Sequence, residues 1–340
     1  MPRESEIISR FKTRASMVRN TRVLIGIGDD AAVVRAAAQS NLIACCDLVV
    51  EGVHFRRDWS DPFAIGYKAL AATVSDVAAM GGIPLFALVS MALPRETPSN
   101  FVDRLIEGLF SAADSHGVSI IGGDTSSSPG PLFIDTTVLG ECDEDRAVPR
   151  SGAQPGDLIF VTGSLGASEI GLRLLEQRRG DEQPNGSASQ DGLSIARAHA
   201  INRHTLPQPR VKAGAAIGEA GLATAMIDIS DGLSTDLNHL VEASGCGAVI
   251  QAHAIPVADC VPLLAAALGG MDPLTLALNS GEEYELLFAS QPKNLEEISR
   301  LSSDLGLAIT PIGEITRERG VLIENGTQME LAPGGWEHLV

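Results

Sequence analysis

At 340 residues with 44% hydrophobic content, the chain is long enough for two cores, and a formal net charge of -18 argues against nucleic acid or an anionic membrane as partner, since both would repel it. No apolar run reaches membrane-spanning length, and residues 1–6 open polar and charged with no apolar stretch behind them, so no secretory signal is expected. Five cysteines (Cys45, Cys46, Cys142, Cys246, Cys260) form no C-x-x-C, which excludes a zinc ribbon and a disulfide framework and points to a reducing cytoplasm.

In chain order, the apolar run Val23-Leu24-Ile25-Gly26-Ile27 predicts a strand feeding a glycine turn that carries Asp29 and Asp30. A second apolar run closes at Asp47. Asp61-Pro62 is a helix start, and Phe63, Ala69, Leu70, Val74 and Val77 recur at helical spacing, which puts Ser75 and Asp76 inside that helix. Small neighbours (Ala71, Ala72, Ala78, Ala79) leave room for a backbone or a ligand, so Asp76 is expected to face a site rather than solvent.

Residues 85–93 and 132–139 read as strands, and the run from Val118 to Ile121 ends in Gly122-Gly123-Asp124. The turn formers of 148–157 mark a domain boundary, giving an N-terminal domain over 1–149 and a C-terminal α/β domain over 150–340. Beyond it come a strand at 158–163, a helix at 168–177 and a polar stretch at 178–191 expected to be a mobile loop. Asp228-Ile229-Ser230-Asp231-Gly232 ends an apolar run, and Leu233, Leu237, Leu240 and Val241 then form a helical stripe. The acids and Ser230 therefore fall at a strand-to-helix corner whose amides are expected to favour an anion. Residues 279–285 read as a turn leading into a strand at 286–289.

Four aspartate segments and Asp47 thus sit beside glycine or small residues, within or just after apolar runs. Solvated acidic faces are not usually written that way. Carboxylates gathered in one place repel and raise one another's pKa, so such a cluster calls for cations. Magnesium takes oxygen ligands and keeps waters and substrate phosphates in its shell, which makes a nucleoside triphosphate site the favoured reading. Gly26-Ile27-Gly28-Asp29-Asp30-Ala31 also fits the dinucleotide pattern G-x-G-x-x-A, but carboxylates stand where that motif presents bare amides to a pyrophosphate. The chain has no P-loop, no kinase H-R-D or D-F-G set, no H-E-x-x-H and no G-x-S-x-G.

Seven ordered blocks then carry a specific likeness: GIGDDAAV from Gly26, DLVVEGVHF from Asp47, VSDVAAMGG from Val74, IGGDT from Ile121, RSGAQPGD from Arg150, DISDGLSTDL from Asp228 and SGEEYELLF from Ser280. Together they resemble the thiamine-monophosphate kinase family, of the aminoimidazole-ribonucleotide-synthetase-like superfamily. The resemblance implies a two-domain α/β fold of the α+β type, whose N-terminal sheets join a homodimer, and ATP-dependent phosphorylation of thiamine monophosphate to thiamine diphosphate. It implies magnesium ligation by Asp30, Asp47, Asp76, Asp124, Asp228 and Asp231, and ATP contacts from Gly122, Gly123, Arg150 and Ser230. His54, Glu282 and Trp336 would face the thiamine substrate; a carboxylate and an aromatic face suit a cationic thiazolium ring. Taken alone, His54 beside Phe55 reads as a structural residue as readily as a ligand, and a terminal Trp336 reads more readily as packing than as ligand.

Cys45 and Cys46 stand where the family usually has Ser or Thr, one of them a metal ligand. Thiols match magnesium poorly, so a ligand at Cys46 would act through its backbone carbonyl or a water. Glu283 replaces a common Asp and leaves Glu282 in register. Direct in-line transfer is expected with no general base, because a phosphate monoester is already a competent nucleophile near neutral pH. Selenophosphate synthetase, hydrogenase maturation factor and aminoimidazole ribonucleotide synthetase share this logic, and a nucleotide sensor without turnover is the alternative outside catalysis.

Overall fold

The structure, a computed structural model, describes residues 4–17, 20–27, 32–177 and 192–336. Its helices and sheets divide into two compact units: residues 1–77 with 82–145, and residues 78–81 with 146–340. Asp30 and the stretch 178–191 lie outside the described residues.

The first unit runs α1 (Glu4–Ala15), β1 (Val23–Ile25), β2 (Val33–Val34), β3 (Ser40–Val50), α2 (Pro62–Ala79), β4 (Ile83–Pro94), α3 (Ser99–His116), β5 (Ser119–Ser128) and β6 (Phe133–Asp143), the last turn of α2 counting with the second unit. Pro62 opens α2 as expected, and Asp61 Oδ1 accepts the Phe63 N–H at 2.7 Å, satisfying one amide that the first turn leaves without a helical partner. Ile65, Ala69, Leu70, Val74 and Val77 of α2 are buried, as are Val102, Leu105, Ile106 and Leu109 of α3. The four-stranded sheet has the order β3-β6-β4-β5, with β4 and β5 parallel and the other pairs antiparallel. Along β3 the residues alternate: Ile43 and Val49 are buried, while Leu42 and Leu48 on the opposite face are 70% and 52% exposed. One face of this sheet is therefore covered and the other is open.

His116 ends α3 with its ring edge-on to Tyr67, the centroids 6.4 Å apart, and its buried Nε2 has no hydrogen-bond partner among the described residues. Burial lowers its pKa to about 4 from an ordinary 6.5. The unfolded chain therefore binds a proton that the fold refuses. Stability is full above pH ~6.5 and falls as pH drops towards ~4, by about 2 to 3 kcal/mol after allowance for the favourable helix C-terminus. His116→Phe should flatten this slope, read as denaturant midpoints at pH 5 and 7.5. An unchanged acid slope would show that other groups control it.

The second unit runs β7 (Leu158–Thr162), α4 (Ala167–Gln177), α5 (Gly192–Thr205), α6 (Val211–Ala220), β8 (Ala225–Asp228), α7 (Leu233–Ser244), β9 (Gly247–Gln251), α8 (Cys260–Ala267), α9 (Pro273–Asn279), β10 (Leu286–Ser290), α10 (Leu295–Leu305), β11 (Ile309–Thr316), β12 (Gly320–Asn325) and β13 (Thr327–Glu330). Its sheet has the order β13-β12-β9-β11-β7-β10-β8 and is antiparallel except between β12 and β9. Successive residues of β7 feed different cores: Ile159 and Val161 pack with Ile227, Leu233 and Leu237, while Phe160 stacks on Phe288 at 5.1 Å beside Ile217 and Met226. A sheet apolar on both faces explains the continuous hydrophobic runs of β7, β8 and β10. Among the described residues no helix is long and apolar enough to cross a membrane.

Candidate active site

In the first unit, strand alternation separates the adjacent cysteines. Cys46 is exposed on the open face, whereas Cys45 turns towards α2, its Sγ 3.3 Å from the Thr73 carbonyl. Asp47 shares the Cys45 face and bonds the Thr73 hydroxyl; burial pushes its carboxyl up, the nearby charge of Asp135 adds to this, and the Thr73 bond pulls it back. Burial, then the charges of Asp76 and Asp47, push the Cys45 thiol well above its usual range, so that thiol stays protonated. Asp47 and Asp76 are thus brought together beside α2, with Ser75 fully buried behind them.

Asp124 stands elsewhere. Both Asp47 and Asp124 were expected at strand ends, and both instead lie inside strands. Across the sheet, Asp47 pairs with Thr136, Thr136 with Val89 and Val89 with Gly123; the next row reads Leu48, Asp135, Ser90, Asp124. The carboxylates therefore sit on opposite edges, three strand spacings or about 14 Å apart, and in rows that face opposite sides. Gly122-Gly123 lies in a strand rather than a turn, just past a bulge at Ile121 that shifts the register between Ala87 and Leu88. Gly123 has φ +148°, and a Cβ there would stand 1.8 Å from the Val89 carbonyl oxygen, so only glycine fits.

His54 closes a tight loop after β3. Its Nδ1 accepts the Val50 N–H at 3.0 Å, so a neutral ring carries its proton on Nε2, as a donor. The buried Lys68 of α2 donates to the His54 carbonyl at 3.3 Å and fixes the loop from below.

In the second unit β8 ends at the buried Asp228, and the chain turns through Ser230 and Asp231 into α7. The ladder between β8 and β10 continues past both strands: Ile229 N–H donates to Glu285 O, Tyr284 N–H to Ile229 O and Glu282 N–H to Ser230 O, at 2.7 to 2.8 Å. Trp336 N–H donates to Asp231 O at 3.0 Å. Asp228, Ser230, Asp231, Glu282 and Trp336, scattered over more than a hundred positions of sequence, therefore meet at one corner. Arg150 lies close enough for its charge to act on His239 of the same corner.

The amides of this corner do not await an anion. Asp236 Oδ2 accepts the N–H groups of Ser230, Asp231 and Gly232, each at 3.1 Å, so an internal carboxylate already occupies the place expected for a phosphate. The hydrogen bond to Asp236 raises the His239 pKa against its partial burial. Asp231, Asp236 and His239 offer ligand atoms within 4.8 Å of one another.

Glu282 and Tyr284 hold left-handed backbones, φ +57° and +52°, a strain of about 1 to 3 kcal/mol each that survives only where the surroundings enforce it. The enforcement comes from two pegs between and after them. Glu283, fully buried, accepts the Gly166 and Ser168 N–H groups at 2.7 and 3.1 Å and the Ser280 hydroxyl at 2.6 Å. Burial raises its pKa against those bonds and the charge of Arg203. Glu285 accepts from Thr162 Oγ1 at 2.8 Å, Arg203 at 2.9 Å and Arg210 Nε at 2.6 Å. For Arg210 burial alone would lower the pKa, but the bond and charge of Glu285 outweigh it. Glu282 Oε2 lies 3.3 Å from His204 Nδ1, which also meets Ser168 Oγ at 3.2 Å.

In the first unit Asp47 and Asp76, and in the second unit Asp228 and Asp231, each offer only oxygen donors, half-buried or buried, of the kind that suits a hard divalent ion; the Cys46 thiol points to the other face of its sheet. Sequence reasoning missed Asp236 and the Glu283–Glu285–Arg203–Arg210 network. The first-turn position of Asp236 in α7 was a signal for the former.

Residues 28–142 match the family model for the AIR synthase related protein N-terminal domain, and residues 154–324 that for the C-terminal domain. The thiamine-monophosphate kinase of Bacillus subtilis is 37% identical over 324 residues, covering 94% of this chain and 95% of its own. The solved thiamine-monophosphate kinase of Stenotrophomonas maltophilia superposes with a TM-score of 0.82 at 33% identity, covering 96% of each chain. A structure of AaThiL complexed with AMPPCP and TMP gives a TM-score of 0.76 at 31% identity, covering 100% of this chain and 99% of that one. Near-complete coverage at such identity, with both domain models in order, means that the chain belongs to the thiamine-monophosphate kinase family.

Proposed function

We propose that the protein transfers the γ-phosphate of ATP directly to thiamine monophosphate, giving thiamine diphosphate and ADP. One observation carries the reading: a carboxylate corner, Asp228 to Asp231, is built against a carboxylate on a strained backbone, Glu282, and an aromatic ring, Trp336. The AaThiL relative complexed with AMPPCP and TMP supports both substrates.

Asp47, Asp76, Asp124, Asp228 and Asp231 are assigned to magnesium, and Cys46 through its carbonyl or a water. Bound magnesium neutralises phosphate charge. Arg150, Ser230, Gly122 and Gly123 are assigned to ATP, and His54 would offer its Nε2 proton to the acceptor. Trp336 and Glu282 hold the thiazolium by ring stacking and charge. The acceptor phosphate needs no base to become a nucleophile, so what these residues supply is alignment of acceptor and leaving oxygens.

The same reading makes the protein a cytoplasmic homodimer. Five free cysteines suit a reducing compartment. The open face of the first unit's sheet and the unpaired edges of β3 and β5 call for cover, and a second copy pairing edge to edge would set the partner's Asp124 beside Asp47.

A substrate panel tests the chemistry. Among thiamine, thiamine monophosphate, an aminoimidazole ribonucleotide precursor and selenide, only thiamine monophosphate should yield ADP with label passing from the γ-phosphate to product. Trp336→Ala should raise KM by about five- to thirtyfold with little change in kcat, since stacking acts on ground and transition states alike. ADP formation driven by selenide or the ribonucleotide precursor would overturn the reading, and ATP binding without turnover on any of the four would favour a sensor.

A further inference from the structure

Trp336 is 54% exposed, and the backbone that delivers it is tied down by three successive amides. Gly334 N–H donates to Ser234 Oγ at 3.1 Å, Gly335 N–H to Thr235 Oγ1 at 3.0 Å and Trp336 N–H to Asp231 O at 3.0 Å. Ser234 and Thr235 are buried in the first turn of α7, and Ser234 donates its own proton to Asn279 Oδ1 at 2.7 Å, which turns its lone pairs towards Gly334. The fit leaves no room for side chains. A Cβ on Gly335 would stand 1.9 Å from the Asp231 carbonyl oxygen, and one on Gly334 2.7 Å from Asn279 Oδ1.

We propose that Ser234 and Thr235 are positioning residues for Trp336: their hydroxyl oxygens strap residues 334–336 across the first turn of α7, so that a large, half-exposed ring is presented beside Asp231, ready to stack on a flat cationic ring. This rests on the thiamine reading for what the ring receives, and not for how the ring is held. A side chain held by backbone bonds loses little freedom when its ligand arrives, which is how such pre-ordering contributes to affinity.

The test uses a Trp59→Phe background, in which Trp336 is the sole tryptophan of the two in the chain. Thr235→Val keeps the volume and removes the acceptor, Thr235→Ser restores it, and Gly335→Ala forces the strap off by its clash with the Asp231 carbonyl oxygen while leaving the sequence of α7 unchanged. Thr235→Val and Gly335→Ala should raise acrylamide quenching of Trp336 about twofold and the KM for thiamine monophosphate about five- to twentyfold, with kcat within about twofold of the parent. Thr235→Ser should match the parent in both. Unchanged quenching and KM in Thr235→Val or Gly335→Ala overturns the proposal, as does a fall in kcat at constant KM, which would place Thr235 in the corner's own chemistry. If the parent itself fails to phosphorylate thiamine monophosphate, the substrate reading falls while the quenching comparison still decides the strap.

Discussion

Asp76→Asn and Asp124→Asn should each lower turnover by at least about a thousandfold, and an equimolar mixture of the two, refolded together, should recover about a quarter of wild-type activity. The first effect follows from removing a charged oxygen that phosphate neutralisation depends on. The second follows from strand order. Asp76 lies over β3 beside Asp47, and Asp124 lies on β5 at the far edge of the same sheet, about 14 Å away. If each site takes Asp76 from one copy and Asp124 from the other, random pairing makes half the dimers mixed, and each mixed dimer has one intact site. Were both aspartates drawn from the same copy, no mixed dimer would hold an intact site and the mixture would stay dead. Steady-state ADP release decides between the two. Neither single variant should unfold the protein: removing one of the two carboxylate charges gathered around the neutral Cys45 thiol relieves repulsion and leaves thermal stability equal or higher, and Asp124 is exposed, so its change to Asn leaves no buried group unpaired.

Glu285→Ala should instead act through stability, lowering it by about 3 to 5 kcal/mol and the melting temperature by on the order of 10 °C. Glu285 is fully buried and joins two guanidiniums, those of Arg203 and Arg210; removing it takes the ion-pair carboxylate from Arg210 and leaves Arg203 only the more distant carboxylate of Glu283, at 3.6 Å. Its carbonyl also takes the Ile229 N–H, one residue from the Asp228 end of β8, so the corner should loosen with it. Glu285→Gln, which keeps the hydrogen-bond acceptor, should lose less. A melting temperature within about 2 °C of wild type for the alanine variant would mean that the network is relaxed by water and does not hold the corner.

Much of this was legible in the sequence because aspartate beside glycine inside apolar runs contradicts the pattern of a solvated face. That contradiction marked Asp76 and the corner at Asp228 to Asp231 as site residues; the helix around Asp76 came from its proline start and helical spacing, the stripe of α7 from its periodicity, and the strands β4, β6, β7 and β10 from apolar runs, the last two bounded by turn formers. What stayed hidden depended on partners far along the chain. Arg203 and Arg210 meet Glu285 from 82 and 75 residues away, and no local pattern couples an arginine to a glutamate at that range. Asp124 was misplaced at a turn because a glycine pair inside a bulged strand has the same local composition as a glycine turn. Strand order, which puts Asp47 and Asp124 on opposite edges, is written only in the register of β3, β6, β4 and β5.

The Asp236 carboxylate under the α7 corner gives the protein a different relation to its nucleotide from that of proteins that cradle phosphate in bare amides. There, polyphosphate alone is a ligand and the cation an addition to it. Here the amides of Ser230, Asp231 and Gly232 are already saturated by the chain's own anion, so an approaching polyphosphate meets carboxylates, with Arg150 as the one cation assigned to it, until a metal ion intervenes. On the proposed magnesium ligation, recognition is thereby conditional on ionic stoichiometry: the species selected would be the metal chelate, and the cellular ratio of free magnesium to total ATP would become a determinant of occupancy in its own right.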